Sequence, residues 1–226
     1  MNLVARNRNN THEEEPVKIE DLHAAVLRGD AESVANGVSE SLQAGADPEA
    51  LLKEALIPAM IEVGDMFERG EAYVPEMLIA ARAMQAGMQV LKPELISAGV
   101  EPVGRIALGT VLGDIHDIGK NLVGMMMEGA GFEVVDLGVD VPTEKFVELA
   151  QSGVNILGMS GLLTTTIPAM PVILEALEKA NVRDKVKVIV GGAPVTEAFA
   201  DKIGADGYAP DAASAVRLAK KVLGIA

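Results

Sequence analysis

The sequence predicts an all-α half, a four-helix bundle, followed by an α/β half with a five-stranded parallel sheet. Apolar residues recur at helical spacing through residues 16–99. From residue 100 onward they form short runs, separated by helical stretches of about ten or more residues. The change falls at residues 99–102, which include Gly99 and Pro102. We therefore expect three regions, residues 1–15, 16–99 and 100–226.

The composition of the 226-residue chain excludes several classes of site. The chain contains no cysteine, so disulfides, thiolate zinc sites, iron–sulfur ligation and cysteine nucleophiles are excluded. Its formal net charge of −14 opposes binding to a phosphate backbone, so we expect no nucleic-acid partner. No apolar run reaches the roughly 18 residues of a membrane helix, and no apolar core follows the first residues as in a secretory signal. We expect a cytoplasmic protein that does not bind membranes.

Residues 1–15 are polar and lack periodicity, so they are predicted to form a mobile tail. This tail contains His12, for which we expect no role. His23 lies on or beside the apolar face of the first predicted helix, where a packing residue is more common than a ligand. The three histidines are scattered along the chain, and they would form a joint metal site only if the fold brought them together.

Four amphipathic helices with short connections are predicted in the first half. The first ends at Gly29 and the second near Gly45. Asp47 followed by Pro48 is typical of a helix start and opens the third helix, which closes near Gly70. Apolar residues in the fourth helix alternate in steps of four and three, as in helices packed at shallow angles. The positions predicted to face inward are Ile19, Leu22, Val26, Val34, Val38, Leu42, Leu52, Leu56, Met60, Val63, Met77, Ala81, Met84, Met88, Leu91 and Leu95.

Five strand-like runs are predicted in the second half. Because a helical stretch separates each run from the next, right-handed crossovers and a parallel sheet are expected. Five such strands suit the flavodoxin-like (Rossmann-like) order 2-1-3-4-5, whose ligands bind at the carboxyl edge, near the switch point between strands one and three. The runs are residues 105–112, 133–139, 154–159, 186–190 and 206–208.

Three polar loops are predicted to meet at this carboxyl edge. Strand one leads into residues 113–119, strand three into the hydroxyl-rich residues 160–166, and strand four into the pair Gly191 and Gly192. Paired glycines allow a bulky ligand or another backbone to approach closely. Each loop also has an ordinary structural interpretation, because paired glycines often form turns and Ser or Thr often caps a helix. Their convergence on one edge favours a ligand site.

Asp114 and His116, in the first of these loops, form a pair of side chains suited to metal ligation or to acid–base chemistry. A carboxylate two residues before an imidazole can accept one ring proton, which leaves the other nitrogen as a lone-pair donor. This pair suits a metal ligand with its supporting acceptor or a general base with its orienting acid, and a surface histidine also fits the spacing. A phosphate-binding loop before Lys120 is disfavoured, because Asn121 stands where Ser or Thr would coordinate magnesium.

Together the three loops resemble the cobalamin-binding domain family, which is marked by Asp-x-His-x-x-Gly, Ser-x-Leu and Gly-Gly. Residues 63–67 (VGDMF) and 73–77 (YVPEM) resemble the helical cap domain of methionine synthase and of methyltransferase corrinoid proteins. The resemblance covers the chain after the tail and implies a corrinoid methyl-carrier protein of a methyltransferase system. The matching loop residues are Asp114, His116, Gly119, Ser160, Leu162, Gly191 and Gly192.

The resemblance implies cobalamin or a related corrinoid as cofactor, with its cobalt alternating between methylcob(III)alamin and cob(I)alamin. His116 would be the lower axial ligand of cobalt and Asp114 its hydrogen-bond partner, while Thr166 stands where methionine synthase has a serine. Phe67, Val74 and Met77 would cover the upper face of the corrin. Further cofactor contacts implied by the resemblance are Gly113, Ile115, Asp117, Gly119, Ser160, Leu162, Thr164, Gly191, Gly192 and Ala212.

The function implied by the resemblance is to carry a methyl group between two enzymes. A substrate-specific methyltransferase would supply it from a donor such as methylamine, betaine, methanol or an aryl methyl ether. A second methyltransferase would pass it to a thiol or folate, and a reductive activation protein would be a third partner. The chain would not be catalytic without these partners. A cobalamin-sensing regulatory module without turnover and the cobalamin-binding subunit of a mutase are the alternatives.

Overall fold

The computed structural model describes residues 18–225, and the fold class is the predicted one. The predicted tail of residues 1–15, with His12, lies outside the described residues. The first half contains the four predicted helices, the third of which is continuous but built from three parts. In order, the elements are α1 (Ile19–Leu27), α2 (Ala31–Gln43), the third helix with α3 (Pro48–Ala50), a π-helical segment (Leu51–Leu56) and α4 (Ile57–Glu68), and α5 (Val74–Ser97).

The third helix begins as predicted but contains a π-helical segment that the apolar periodicity does not reveal. The side chain of Asp47 accepts a backbone N–H of the first turn, and Pro48 occupies that turn. Pro58 accounts for the π-helical segment, because it has no backbone N–H to donate. Immediately before it, Ile57 donates to the carbonyl of Leu52, five residues earlier. The helix therefore continues past the proline into α4.

The second half is a sheet of five parallel strands in the predicted order, β2-β1-β3-β4-β5. Helices connect successive strands, as the alternating pattern predicted. The strands are β1 (Arg105–Thr110), β2 (Glu133–Asp136), β3 (Ile156–Ser160), β4 (Lys187–Gly191) and β5 (Gly207–Tyr208). The principal helices are α6 (Ile118–Gly129), α7 (Thr143–Gln151), α8 (Ala169–Lys179), α9 (Glu197–Ile203) and α10 (Ala212–Val222).

The first two strands end earlier than the predicted runs 105–112 and 133–139. Beyond β1, pairing continues only through an isolated bridge between Val111 and Val141. The chain then turns at Gly113, whose φ of +83° favours glycine. The apolar residues at the ends of the predicted runs, Leu112 and Val139, are exposed. The predicted strands were too long because an apolar run does not distinguish a strand residue from an apolar residue in the loop that follows.

Alternate residues of the strands pack on opposite faces of the sheet. Ile106 and Leu108 of β1 pack with apolar residues of α6 and α10. Ala107 of β1 belongs instead to the cluster formed with α7, α8 and α9. The sheet is therefore covered on both faces, which explains why its strands read as nearly continuous apolar runs.

The helical half packs against α6 and α10. Its apolar core includes Leu122 and Met126 of α6 and Ala212 of α10. Polar contacts at this junction include the hydrogen bond from Gln85 Nε2 to Glu128 Oε2, at 2.9 Å, and an ion pair between Glu68 and Arg217. The junction brings the bundle beside the carboxyl edge of the sheet. Within residues 18–225, no helix is both long and apolar enough to cross a membrane.

Candidate functional site

A cavity of about 660 Å³ lies between the carboxyl edge of the sheet and the helical half. Gly113, Asp114, Thr164 and Thr166 do not line the cavity. Asp114 and Thr166 support the His116 loop instead, and Thr164 is exposed. The predicted site residues that line the cavity are Phe67, Val74, Met77, Ile115, His116, Asp117, Gly119, Ser160, Leu162, Gly191, Gly192 and Ala212.

The imidazole of His116 is held by Asp114 at one nitrogen. Nδ1 of His116 lies 2.7 Å from Oδ1 of Asp114, and the backbone N–H of His116 donates to the same oxygen at 3.1 Å. The carboxylate assigns the ring proton to Nδ1, so that Nε2 carries the lone pair. The His116 side chain is 46% exposed and the Asp114 side chain is fully buried. One nitrogen is therefore anchored and the other is available as a ligand.

The other oxygen of Asp114 accepts hydrogen bonds from the loop after β3. Oδ2 lies 2.8 Å from the N–H of Leu162, 3.1 Å from that of Leu163 and 2.8 Å from Oγ1 of Thr166. Burial opposes ionisation of Asp114, but the hydrogen bonds from His116, Thr166 and the backbone hold its pKa well below the usual range. The carboxylate therefore stays charged at neutral pH.

The Thr166 hydroxyl has one hydrogen and two acceptors within reach. The carbonyl oxygen of Leu163 lies 2.9 Å from Oγ1, and Oδ2 of Asp114 lies 2.8 Å from it. A charged carboxylate is the stronger acceptor, so the hydroxyl donates to Asp114. Thr166, Asp114 and His116 thus form a hydrogen-bonded chain that ends at the imidazole.

Two residues that the sequence reasoning missed hold the backbone of this loop. Thr110 is fully buried at the end of β1, and its hydroxyl donates to the carbonyl of His116 at 2.9 Å. Asp140, in the loop after β2, accepts the N–H of Gly113 at 2.7 Å through Oδ1. The predicted strand order could have pointed to both residues, because it placed the end of strand two beside the end of strand one. A polar residue at either end was a candidate.

The loops after β3 and β4 approach each other so closely that one of them requires glycine. A Cβ on Gly192 would lie 1.9 Å from the carbonyl oxygen of Gly161, and Gly192 has a φ of +126°. Gly191 accepts the N–H of Gly161 at 3.2 Å. The Gly191–Gly192 pair thus joins two loops in addition to lining the cavity.

Lys120 does not present its charge as a phosphate-binding loop would. Its side chain is only 3% exposed, and its ammonium lies 2.5 Å from Oδ1 of Asp136 and 2.6 Å from Oδ1 of Asn121. Partial desolvation opposes ionisation of the exposed Asp136, but the hydrogen bonds from Lys120 and from the N–H of Gly138 lower its pKa below the usual value. Lys120 therefore fixes the first turn of α6 to the end of β2.

The ligating groups in the described part of the chain do not form a metal site on their own. Within residues 18–225, no group of three or more His, Asp or Glu side chains could hold a metal ion. His23 lies away from the cavity, with Nε2 3.0 Å from Oε2 of Glu62 in α4. A metal bound at Nε2 of His116 would need most of its ligands from another source, because metal ions in proteins take four or more. A metal carried by a macrocycle satisfies this requirement, and the cavity is lined largely by apolar side chains and glycine backbone.

Comparison with known sequences identifies both halves of the chain. Residues 104–217 match a family described as "B12 binding domain", and residues 18–92 match a second family with the same description. Dimethylamine corrinoid protein 1 of Methanosarcina mazei is 43% identical over 208 residues, which are 91% of this chain and 95% of that protein. Trimethylamine corrinoid protein 1 of Methanosarcina acetivorans is 45% identical over 202 residues, which are 88% of this chain and 94% of that protein.

Comparison with solved structures gives the same result. The methanol:cobalamin methyltransferase complex MtaBC from Methanosarcina barkeri contains a chain that is similar with a TM-score of 0.81 and 29% identity. The similarity covers 91% of this chain and 79% of that chain. The single anchored imidazole and the apolar, glycine-bounded cavity fit a cobalt macrocycle. The chain therefore belongs to the B12-binding family of corrinoid proteins found in methyltransferase systems, whose cofactor is cobalamin or a related corrinoid.

Proposed function

We propose that this chain carries a methyl group on the cobalt of its corrinoid between two methyltransferases. The observation that carries the proposal is the His116–Asp114 pair, which presents one free imidazole nitrogen at a cavity between the two halves. Its relatives include corrinoid proteins named for dimethylamine and trimethylamine, and a structural relative belongs to a methanol methyltransferase complex. When bound, the corrinoid supplies a cobalt that can accept and release a methyl group.

His116 is proposed to be the lower axial ligand of cobalt. Asp114 keeps the ring proton on Nδ1, which makes Nε2 a good donor and fixes the plane of the ring. Thr166 donates to the far oxygen of the same carboxylate. Because Asp114 is buried and accepts five hydrogen bonds, the imidazole has little freedom to turn away from the cavity.

The loops at the carboxyl edge are proposed to hold the rest of the corrinoid. Glycines allow the backbone to approach the ligand closely, and a hydroxyl such as that of Ser160 can donate to its polar groups. We place residues 100–226 in this cobalamin-binding domain. The proposed contacts are Gly113, Ile115, Asp117, Gly119, Ser160, Leu162, Thr164, Gly191, Gly192 and Ala212; Gly113 and Thr164, which do not line the cavity, would be reached only at its margin.

The helical half, residues 16–99, is proposed to be a cap that keeps water from the reactive face. Phe67, Val74 and Met77 line the same cavity as His116 and supply only apolar surface. Met77 is fully buried in the bundle core, whereas Val74 is 40% exposed.

We propose a substrate-specific methyltransferase, a second methyltransferase acting on a thiol or folate, and a reductive activation protein as partners. Methylamines and methanol are the donor classes that the relatives favour.

The visible spectrum of cobalamin bound to the protein tests this function. Cofactor-free protein is mixed with cobalamin without oxygen, reduced, and then given methylamines or methanol together with cell extract. We expect wild-type protein to bind the cofactor and to show donor-dependent spectral changes. The His116→Ala protein should fold normally but show a different cobalt spectrum, while His23→Ala, which changes a histidine outside the cavity, should match wild type. Wild-type protein that binds no cobalamin would refute the proposal.

A further inference from the structure

The loop that carries His116 is held between two neighbouring loops. On one side, the side chain of Asp114 is bound by residues 162–166 after β3. On the other side, Asp140 contacts the backbone of the same loop twice. Its Oδ1 accepts the N–H of Gly113 at 2.7 Å, and its own N–H donates to the carbonyl of Asp114 at 2.9 Å. Asp140 therefore restrains the backbone of Gly113 and Asp114, which lies just before His116 in the same loop.

The backbone of Asp140 is adapted to this contact. Its φ of +52° lies in the left-handed region, which most residues avoid and which Asp and Asn tolerate. The segment around it is tied to the end of β1, because Gly138 accepts the N–H of Thr110 at 3.0 Å and Val141 donates to the carbonyl of Thr110 at 3.0 Å. Asp140 thus extends from an ordered segment and is not the tip of a free loop.

We propose that Asp140 is a positioning residue for His116. The restraint is needed because the His116 loop is exposed to solvent, with Ile115 73% exposed and the His116 side chain 46% exposed. Without the Asp140 carboxylate, the N–H of Gly113 loses its acceptor and the backbone that leads into the buried Asp114 is held less firmly, so the small range of orientations left to the imidazole widens. The inference rests on the proposed role of His116 as the cobalt ligand, and it assigns Asp140 no contact with the corrinoid.

Two substitutions separate the carboxylate acceptor from the backbone conformation. Asp140→Gly removes the acceptor and retains easy access to positive φ, so backbone strain does not contribute to its effect. Asp140→Asn keeps an acceptor oxygen and tolerates the same φ, so it is the matched control. Because Asp140 is exposed, both proteins are expected to fold, which far-UV circular dichroism and thermal unfolding would verify.

The first measurement uses cofactor-free protein. Hydrogen–deuterium exchange of a peptide covering residues 111–117 reports the hydrogen bond of the Gly113 N–H. We expect exchange about tenfold faster in the Asp140→Gly protein, as for the loss of one hydrogen bond, and exchange close to the wild-type rate in the Asp140→Asn protein.

The second measurement uses protein loaded with cobalamin and reduced to the paramagnetic cobalt state. Electron paramagnetic resonance then shows the fraction of cobalt that carries an imidazole nitrogen. We expect this fraction to fall several-fold in the Asp140→Gly protein and to be retained in the Asp140→Asn protein, with the total cobalamin bound unchanged. Equal fractions in all three proteins would overturn the positioning role and leave the proposed function intact, even if Gly113 exchange were faster. Wild-type protein that binds cobalamin without an imidazole signal would overturn the ligand role of His116, and the positioning role with it.

Discussion

Asp114 is a buried carboxylate whose two oxygens face only hydrogen-bond donors. Oδ1 accepts from the ring and the backbone of His116, and Oδ2 accepts from two backbone N–H groups and from Thr166. A charged, fully accepting group is the one side chain that satisfies all five donors. The same arrangement orients the imidazole and joins the loops after β1 and β3, so the proposed ligand role of His116 and the local stability depend on the same atoms.

We expect Asp114→Asn to destabilise the cofactor-free protein by about 2–4 kcal/mol at neutral pH. An amide has one acceptor oxygen, and its NH₂ group would face N–H or O–H donors in either orientation. Denaturant unfolding monitored by circular dichroism measures the difference. Asp117→Asn, in the same loop, is the control, since Asp117 accepts one bond from Asn121 and should cost less than about 1 kcal/mol. Equal stabilities for the two variants would contradict this account.

The local contacts of the site could be predicted from residue spacing, and the non-local contacts could not be predicted from spacing. Asp114 and His116 are two residues apart, so their interaction follows from spacing alone. Thr166 was expected from the family resemblance, and its distance of 2.8 Å from Oδ2 of Asp114 depends on the path of the β3 loop. Thr110 and Asp140 act on atoms that are 6 and 27 residues away along the chain. No periodicity or spacing rule connects such residues before the strand order is known.

At the scale of elements, α2 and α5 approach closely because glycine occupies the contact. A Cβ on Gly87 of α5 would lie 2.7 Å from Cγ1 of Val34 in α2. Val34 is fully buried, and a β-branched side chain has little freedom to move aside. The four-helix pattern was predictable from apolar spacing, but this close approach was not, because a glycine in a helical pattern does not indicate which helix it contacts.

We expect Gly87→Ala to destabilise the protein by about 1–2 kcal/mol, despite the roughly 1 kcal/mol that alanine gains in helix propensity. Combining it with Val34→Ala should cost at least about 1 kcal/mol less than the sum of the single changes, because the second substitution removes the clash. Chemical denaturation of the four proteins of the cycle measures this coupling. Gly124→Ala in α6 is the control, since its Cβ would make ordinary contacts at 3.5 Å, and it should be neutral or stabilising. If the changes in the free energy of unfolding were strictly additive, the helices would be able to move apart without a clash between positions 87 and 34.

The ion pair between Lys120 of α6 and Asp136 of β2 makes a pH-dependent contribution to the stability of the protein. The pKa of Asp136 is lowered in the folded protein, so its carboxylate stabilises the fold above the ordinary Asp pKa of about 4. This contribution decreases as the pH falls below about 4 and the carboxylate becomes protonated. Asp136 is 57% exposed, so we expect Asp136→Asn to cost only about 1 kcal/mol at pH 7.

Denaturant midpoints measured between pH 7 and pH 3 should therefore converge for wild-type and Asp136→Asn proteins as the pH falls. Glu148→Gln, which removes a carboxylate from an exposed pair with Lys145, should have a smaller effect at pH 7. A difference between wild type and Asp136→Asn that is constant across this range would mean that ionisation of Asp136 does not contribute.

At the scale of the whole molecule, the site lies between two halves that were each predictable from sequence pattern. The strand order followed from the alternation of apolar runs and helices, and the bundle followed from helical spacing. Their mutual arrangement does not follow from either pattern, because it depends on which surfaces of α6 and α10 meet the bundle. The resemblance to methionine synthase led to the expectation that Phe67, Val74 and Met77 face the cofactor, and all three line the cavity.

We expect Phe67→Ala to leave corrinoid binding largely unchanged and to shorten the lifetime of the reduced cobalt severalfold. Phe67 is a large apolar side chain on the cap side of the cavity, and its loss admits water and oxidants. Spectroscopy of the reduced protein after addition of limited oxygen measures the lifetime. Ile96→Ala, an exposed residue of α5 that does not line the cavity, is the control. Equal lifetimes for the two variants would argue that the bundle does not cover the upper face.

The apolar core of the bundle is completed by residues that belong to the sheet half, Leu122, Met126 and Ala212. A chimaera that exchanged only the N-terminal halves of two such proteins would therefore pack the helices of one parent against the α6 and α10 surface of the other parent. To pack correctly, such a hybrid would have to inherit the facing positions of α6 and α10 together with the transplanted bundle.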